Sequence, residues 1–411
     1  MKKLSVAVSA LALILVASCG VAFATREVVG VGTTGAQYAL FLPDNWNGDL
    51  VVYVHGFIDP AAPVALPDAA PDDVAPWVVE LRERLLQAGY GVAYSSFSEN
   101  GWAVNDAAQR TRELRPLFTH YFYKPDRTYV IGRSLGALTT MLLVEKYAVE
   151  TKTSLSLFGL VTISSSERVI DGALALCGPV GGGRKQTDYV GHTRAVFDFF
   201  YPGVIPGDVL DVPKELNYSS ELVPAIYWAI LANPTAAVAL ASVDQVELPW
   251  TGDFTDGTLI NSILRVLGYN ILGTNDLLER TGGASPFENR STTYTGTGLQ
   301  TLDAALNAGV DRFAGSTQAF NYLKAYYQPK GALDIPVLTL HTTLDPDVPF
   351  SHEASLAAIV AKAGASRKLV QQSYNRYGHC NFSPAETASA FLRLADWVKR
   401  GVKPVGGALA P

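Results

Sequence analysis

The chain has 411 residues, 48% of them hydrophobic and 17% charged, with a formal net charge of -6. That composition supports one large buried core or two modest ones, so the chain is globular. Net negative charge without an extended basic cluster leaves no electrostatic footprint for nucleic acid or for an anionic membrane surface.

Lys2 and Lys3 precede an apolar run over residues 4–16, short for a bilayer span and of the length of a signal-peptide core. Two processing sites compete. Ala22-Phe23-Ala24 is a small-x-small site that ends a signal peptide at residue 24. Val16-Ala17-Ser18-Cys19 resembles a bacterial lipobox, ending the signal at residue 18 and making Cys19 the lipid-bearing anchor. The polar tether usual after a lipidated cysteine is missing. Either site implies an exported chain that is extracellular, periplasmic or attached to a bacterial cell envelope. No later stretch is long and apolar enough to span a bilayer. With Cys19 removed or lipidated, Cys177 and Cys380 remain, an even pair in an oxidising compartment that forms either a disulfide or two buried thiols.

From residue 37 onward, strand patterns alternate with helix patterns. A strand over 38–42 leads through a Pro-Asn-Gly turn to a fully buried strand over 50–54. A helix over 74–88 follows, closed by Gly89. Next come a strand over 92–96, an Asn100-Gly101 turn and a helix over 104–119. A β-branched run then breaks at Gly132, a helix follows Gly136, and a strand ends at 174–178. This alternation implies an α/β fold, a parallel sheet with helices on both faces, whose first part is residues 25–183. The rhythm stops over 184–330. There, helix patterns at 222–232, 259–272, 299–308 and 317–327 imply an inserted helical cap. Its aromatics Phe199, Phe200, Tyr201, Tyr227, Trp228, Trp250 and Tyr269 read mainly as a packed cap core. The second core part, 331–403, resumes with a strand over 337–341, a helix over 355–363 and a strand over 368–374. The last helix opens on Ser383-Pro384-Ala385-Glu386, a capping box with proline in the first turn. The Gly/Pro/Ala-rich tail, 404–411, is expected to fray.

Gly132-Arg133-Ser134-Leu135-Gly136 lies between the β-branched strand and the helix, which makes Ser134 a candidate nucleophile on a strand-to-helix corner. Gly132 and Gly136 suit a corner where strand and helix approach too closely for side chains. A serine hydroxyl needs a base, and the base needs a carboxylate. Of the six histidines, His120 reads as a packing or surface residue, and His192 and His352 sit at expected helix starts. His341 reads as a structural residue beside the acid loop, and His55 follows a buried strand. His379, in a loop after the last strand, is the candidate base, because α/β sheets place chemistry at the carboxyl ends of their strands. Asp345 is the favoured acid and Asp347 the alternative, both in the loop after the strand over 337–341.

Val-His-Gly-Phe at 54–57, Gly-Arg-Ser-Leu-Gly at 132–136, Leu-Asp-Pro-Asp-Val-Pro at 344–349 and Gly-His-Cys at 378–380 together resemble α/β-hydrolases of the secreted bacterial esterase and prolyl-oligopeptidase-like kind. The resemblance covers residues 37–183 and 331–401. It implies a Ser134–Asp345–His379 triad and a turn at His55-Gly56 that points the Phe57 backbone N–H into an oxyanion hole, with the Leu135 N–H as second donor. Phe57 and Leu135 would then act through backbone, not side chain. The His379-Cys380 pair also resembles tannase- and feruloyl-esterase-like enzymes, whose cysteine after the histidine bonds to one just before the serine. Here Arg133 occupies that earlier position, so Cys380 would have to reach Cys177 instead. Trp102, after the strand over 92–96, either walls a substrate pocket or anchors the following helix. The implied activity is hydrolysis of a small-molecule or polymer-derived carboxylic ester. A peptidase or amidase using the same triad is the first rival, and a non-catalytic surface-binding protein the second. No metal or organic cofactor is implied, since His-Glu-x-x-His, paired-cysteine and dinucleotide glycine motifs are missing.

Overall fold

Buried β-branched and aromatic runs build the sheet, and amphipathic helices cover it. The computed structural model describes residues 24–70, 74–155 and 162–410, so the expected signal segment and Cys19 lie outside the described residues. In chain order the first part contains β1 (Thr25–Val31), β2 (Gln37–Pro43), β3 (Asp49–Val54), α1 (Ala75–Gln87), β4 (Gly91–Ser95), α2 (Val104–Tyr121), β5 (Arg127–Arg133) and α3 (Leu135–Tyr147). It continues with β6 (Val149–Leu155), β7 (Thr162–Arg168) and β8 (Gly172–Leu176). Six helices follow: α4 (Gly183–Phe200), α5 (Val223–Ala232), α6 (Pro234–Ala241), α7 (Thr258–Arg280), α8 (Gln300–Gly309) and α9 (Thr317–Ala325). The chain closes with β9 (Val337–Leu344), α10 (Ser351–Lys362), β10 (Leu369–Tyr377), α11 (Pro384–Arg400) and β11 (Gly407–Leu409).

The main sheet runs in the order β1-β2-β4-β3-β5-β8-β9-β10-β11. β1 and β2 are antiparallel to their neighbours, and every other pairing is parallel. Alternate residues of one strand feed opposite cores, as pleating requires. Tyr129 and Ile131 pack toward α1 and α11 with Leu81, Phe391 and Leu394. Val130 packs with Leu138, Met141 and Leu356 from α3 and α10 on the other face. A third cluster, built on Phe197, Ile226, Ile263 and Val266, belongs to the helices after β8.

Several elements differ from the sequence reading. The tail does not fray over its whole length, because Gly407–Leu409 adds to β10 as a parallel strand. β1 and the separate β6–β7 hairpin have no forecast counterpart. β1 is an exposed edge, with Val29 and Val31 turned outward, and β6–β7 is polar, so neither shows a buried apolar run. α7 does not stop at 272 but runs through Gly273 to Arg280. Of the cap aromatics, Tyr227 and Trp228 are exposed rather than packed. α5 buries Ile226 and Ile230, one helical turn apart, and this places the two aromatics on the outer face.

α11 begins as its sequence requires. The Ser383 hydroxyl accepts the Glu386 N–H, the Glu386 carboxylate accepts the Ser383 N–H at 2.7 Å, and Gly401 closes the helix at φ 73°. Replacing Ser383 by Ala should destabilise the protein by about 1 kcal/mol, measured as a lower urea midpoint with an unchanged slope.

Candidate active site

The chain leaves β5 at Arg133 and enters α3 at Leu135 with one residue between them, so the corner is a single residue wide. That residue, Ser134, sits at φ 56° and ψ -125°, a conformation non-glycine residues hold only under strain of about 1–3 kcal/mol. The neighbours that press on it must lack side chains. A Cβ on Gly136 would collide with the Val54 and His55 carbonyls, and one on Gly132 with the Gly136 carbonyl and the Thr140 hydroxyl. A Cβ on Gly56 would stand 2.9 Å from the Ser134 Cβ. The Ser134 N–H is fixed by the Leu176 carbonyl of β8 at 2.9 Å.

Two loops at the same rim bring the partners. Asp345 follows β9 and His379 follows β10. His379 Nδ1 lies 2.8 Å and 3.0 Å from the two Asp345 oxygens, and its Nε2 lies 2.9 Å from Ser134 Oγ. A carboxylate only accepts, so Nδ1 carries the proton and Nε2 is left to accept the serine hydroxyl. Asp345 is fully buried, yet Oδ1 also accepts the N–H groups of Asp347 and Val348 at 2.9 and 3.0 Å. Burial alone would raise its pKa. The His379 and His341 rings beside it outweigh that and hold the carboxyl well below the usual range.

β5 ends in the corner, β9 in the acid loop and β10 in the histidine loop, and the three residues meet in the chain order Ser, Asp, His. The chain has the α/β-hydrolase fold. Among solved structures it is similar to an esterase of Pyrococcus furiosus at 12% identity and TM-score 0.43, with 92% of this chain and 91% of that one covered. It is similar to Candida antarctica lipase A in its closed state at 15% identity and TM-score 0.47, over 94% and 81% of the two chains. It is also similar to the rice cell wall degrading esterase LipA of Xanthomonas oryzae at 12% identity and TM-score 0.42, over 91% and 89%. No protein-family model and no curated protein matches the sequence. The likenesses are distant, and the fold assignment rests on this chain's own strand order and corner.

The alternative acid, Asp347, is placed elsewhere. Its carboxylate is gripped by the Arg265 guanidinium of α7 and by the Tyr269 hydroxyl at 3.1 Å. From α4, Gln186 donates to the Asp347 carbonyl and Tyr189 to the Pro346 carbonyl, each at 2.7 Å. One loop therefore presents Asp345 to the site and Asp347 to the helical insertion. Neither Arg265 nor these α4 contacts were forecast. Two acids two residues apart were the available signal, but their partner lies 82 residues away on an amphipathic helix.

The Phe57 and Leu135 N–H groups have no hydrogen-bond partner among the described residues, and both residues border the cavity beside Ser134. His55 stacks on Phe97, ring centroids 3.8 Å apart, and its Nδ1 meets the Gly56 carbonyl at 2.9 Å. Trp102 is buried in the wall of the same cavity. Its backbone N–H donates to Asp276 of α7 at 2.5 Å, so the residue both lines the space and fixes the insertion to the sheet. Cys177 and Cys380 are paired with Cα atoms 5.3 Å apart, within disulfide range, which ties the His379 loop to the end of β8. Among the described residues, the one close group of three possible metal ligands is Cys177, His379 and Cys380. With the sulfurs paired and His379 held between Asp345 and Ser134, it offers no free ligand set.

Other histidines are placed differently from the sequence reading. His192 lies in the middle of α4, not at its start, beside the Tyr294 hydroxyl at 2.8 Å. Burial, with Arg184 and Arg312 nearby, pushes its pKa down to about 4. His352 is buried near the start of α10 and accepts the Gly181 N–H at 3.0 Å. His341 has a fuller role than its position suggested. Its Nε2 faces the Val348 carbonyl at 3.0 Å and an Asp345 oxygen at 3.4 Å, and its Nδ1 faces Glu353 at 3.3 Å. With acceptors at both nitrogens, the ring is held as imidazolium. Burial opposes the charge, but hydrogen bonds and attraction from Asp345 and Glu353 prevail and raise its pKa from 6.5 to about 10. A raised folded pKa gives stability that is complete below about 6.5 and lost as pH climbs through about 10. His341→Gln should therefore lower the melting temperature at pH 6, and its melting temperature should fall less than the wild type's between pH 7 and 10. Parallel pH curves for the two proteins would contradict the charged assignment.

Proposed function

We propose that the protein is an exported serine hydrolase that cleaves a carboxylic ester through an acyl-enzyme on Ser134. The observation that carries the reading is the continuous hydrogen-bonded line from Asp345 through His379 to a strained, glycine-flanked Ser134. In this mechanism His379 Nε2 takes the hydroxyl proton as Oγ bonds to the ester carbon, and the carbonyl π electrons move to oxygen. The oxyanion is stabilised by the N–H groups of Phe57 and Leu135, each worth about 3 kcal/mol in such holes. Asp345 stabilises the imidazolium without taking its proton. His379 then protonates the departing alkoxide as the ester C–O bond breaks. Water, deprotonated by His379, attacks the acyl carbon, and Oγ leaves with the returned proton.

The Cys177–Cys380 pair supports export, because such a bond persists in oxidising compartments. Closing a loop of 203 residues stabilises by about 5 kcal/mol in the chain-entropy model, although measured values are often about 2–5 kcal/mol. Residues 1–24, or 1–18 with Cys19 as an anchor, are the matching export signal.

Fluorophosphonate should label the purified protein at Ser134, and Ser134→Ala should abolish labelling. Failure of the wild type to label would favour the non-catalytic rival. Chromogenic ester and aminoacyl-amide substrates tested side by side should show ester turnover in excess, and the reverse preference would favour the peptidase reading. In folded, unreduced protein, thiol reagents should find neither Cys177 nor Cys380, whereas Cys380→Ala should expose one thiol and lower the melting temperature.

A further inference from the structure

Two spaces meet at Ser134, and they differ in chemistry. One is a cavity between α4 and α7 that opens at Ser134 and is walled mainly by apolar side chains. Its walls include Trp102, Leu135, Val190, Leu277 and Phe287. Most of its polar side chains are turned to protein partners. Thr187 donates to the Arg184 carbonyl, Thr274 accepts from Asn270, and Asp347 is held by Arg265 and Tyr269. Gln186 donates to the Asp347 carbonyl, leaving its own carbonyl oxygen without a partner among the described residues. The other space is a cleft bordered by Arg133, Asn261, Arg265 and His379.

Proton delivery decides which part of an ester enters which space. The leaving oxygen must lie within reach of His379 Nε2, and His379 borders the polar cleft but not the apolar cavity. The alcohol portion therefore faces the cleft, and the acyl portion, bonded to Ser134, points into the cavity.

Gly273 indicates what the cavity holds. It is a buried residue inside the 23-residue α7, where glycine costs about 1 kcal/mol relative to alanine. Its φ is not positive, and no close backbone approach requires it, because an added Cβ would meet nothing within 4 Å. The space it leaves open is the cavity itself. Gly268, on the same helix, is different, since a Cβ there would press on Tyr218 at 2.9 Å.

We infer that the α4–α7 cavity is the acyl site for an extended apolar chain, and that Gly273 sets the chain length it accepts. This rests on the reading of Ser134 as the nucleophile. It deepens that reading by naming the substrate class as esters whose acyl group is an apolar chain longer than acetyl.

The test is a series of p-nitrophenyl alkanoates from acetate to palmitate, with kcat/KM measured for the wild type, Gly273→Ala and Gly273→Leu. The wild type should prefer octanoate to acetate by about tenfold or more, the scale on which apolar pockets discriminate. Gly273→Leu fills the cavity and should lower the octanoate-to-acetate ratio by about tenfold or more. Gly273→Ala adds one carbon, gains helix propensity, and should move the ratio the same way by less, so the result stands even if the leucine variant does not fold. Decanoate should raise the melting temperature of Ser134→Ala, and adding Gly273→Ala should reduce that rise. A wild type that labels with fluorophosphonate yet favours acetate, or folded variants with an unchanged ratio, would overturn the acyl-site assignment while leaving the nucleophile intact. Failure of Ser134 to label at all would instead overturn the serine hydrolase reading.

Discussion

Burying one negative charge is the constraint on which the site depends. Asp345 has no exposure to solvent, and a bare carboxylate in that position would protonate or draw water in. It stays ionised because four donors converge on it: two backbone N–H groups of its own loop, the Nδ1–H of His379 and, slightly farther off, the charged ring of His341, with Glu353 balancing that ring from behind. With the carboxylate fixed, the His379 tautomer is fixed, and with it the direction in which the Ser134 hydroxyl points.

The scaffold around this charge follows from strand ends. β5, β9 and β10 are parallel and run within two strand positions of β8, so their carboxyl ends deliver a serine, an acid and a histidine to one rim. Glycines at 56, 132 and 136 let β3, the corner and α3 crowd together there, and the pairing of Cys177 with Cys380 fastens the last of the loops to β8.

Much of this was legible in the sequence because it is local. The buried runs of β3 and β5, the glycines about Ser134, and the Ser383–Glu386 cap are each set by residues a few positions apart. The preference for Asp345 over Asp347 came from a motif resemblance, and the structure places Asp345 beside His379. The unread parts are those where the deciding partner is far along the chain. Nothing near Asp347 announces Arg265, and nothing near His341 announces that Glu353 lies behind it. Edge elements such as β1 and β11 bury too little to leave an apolar signature. In α7, the apolar pattern ran only to 272, because a sequence does not reveal that the side chain missing at Gly273 faces a void.

Asp345 and Asp347 share one loop, but the first serves the sheet's chemistry and the second is clasped by Arg265, Tyr269 and the backbone contacts of α4. The helical insertion is thus not an independent cassette resting on a finished core. Exchanging it for another insertion would remove the clasp from the very loop that positions the acid, so new specificity grafted onto this scaffold must bring its own partner for residue 347. In evolutionary terms, cap and acid loop are expected to change together.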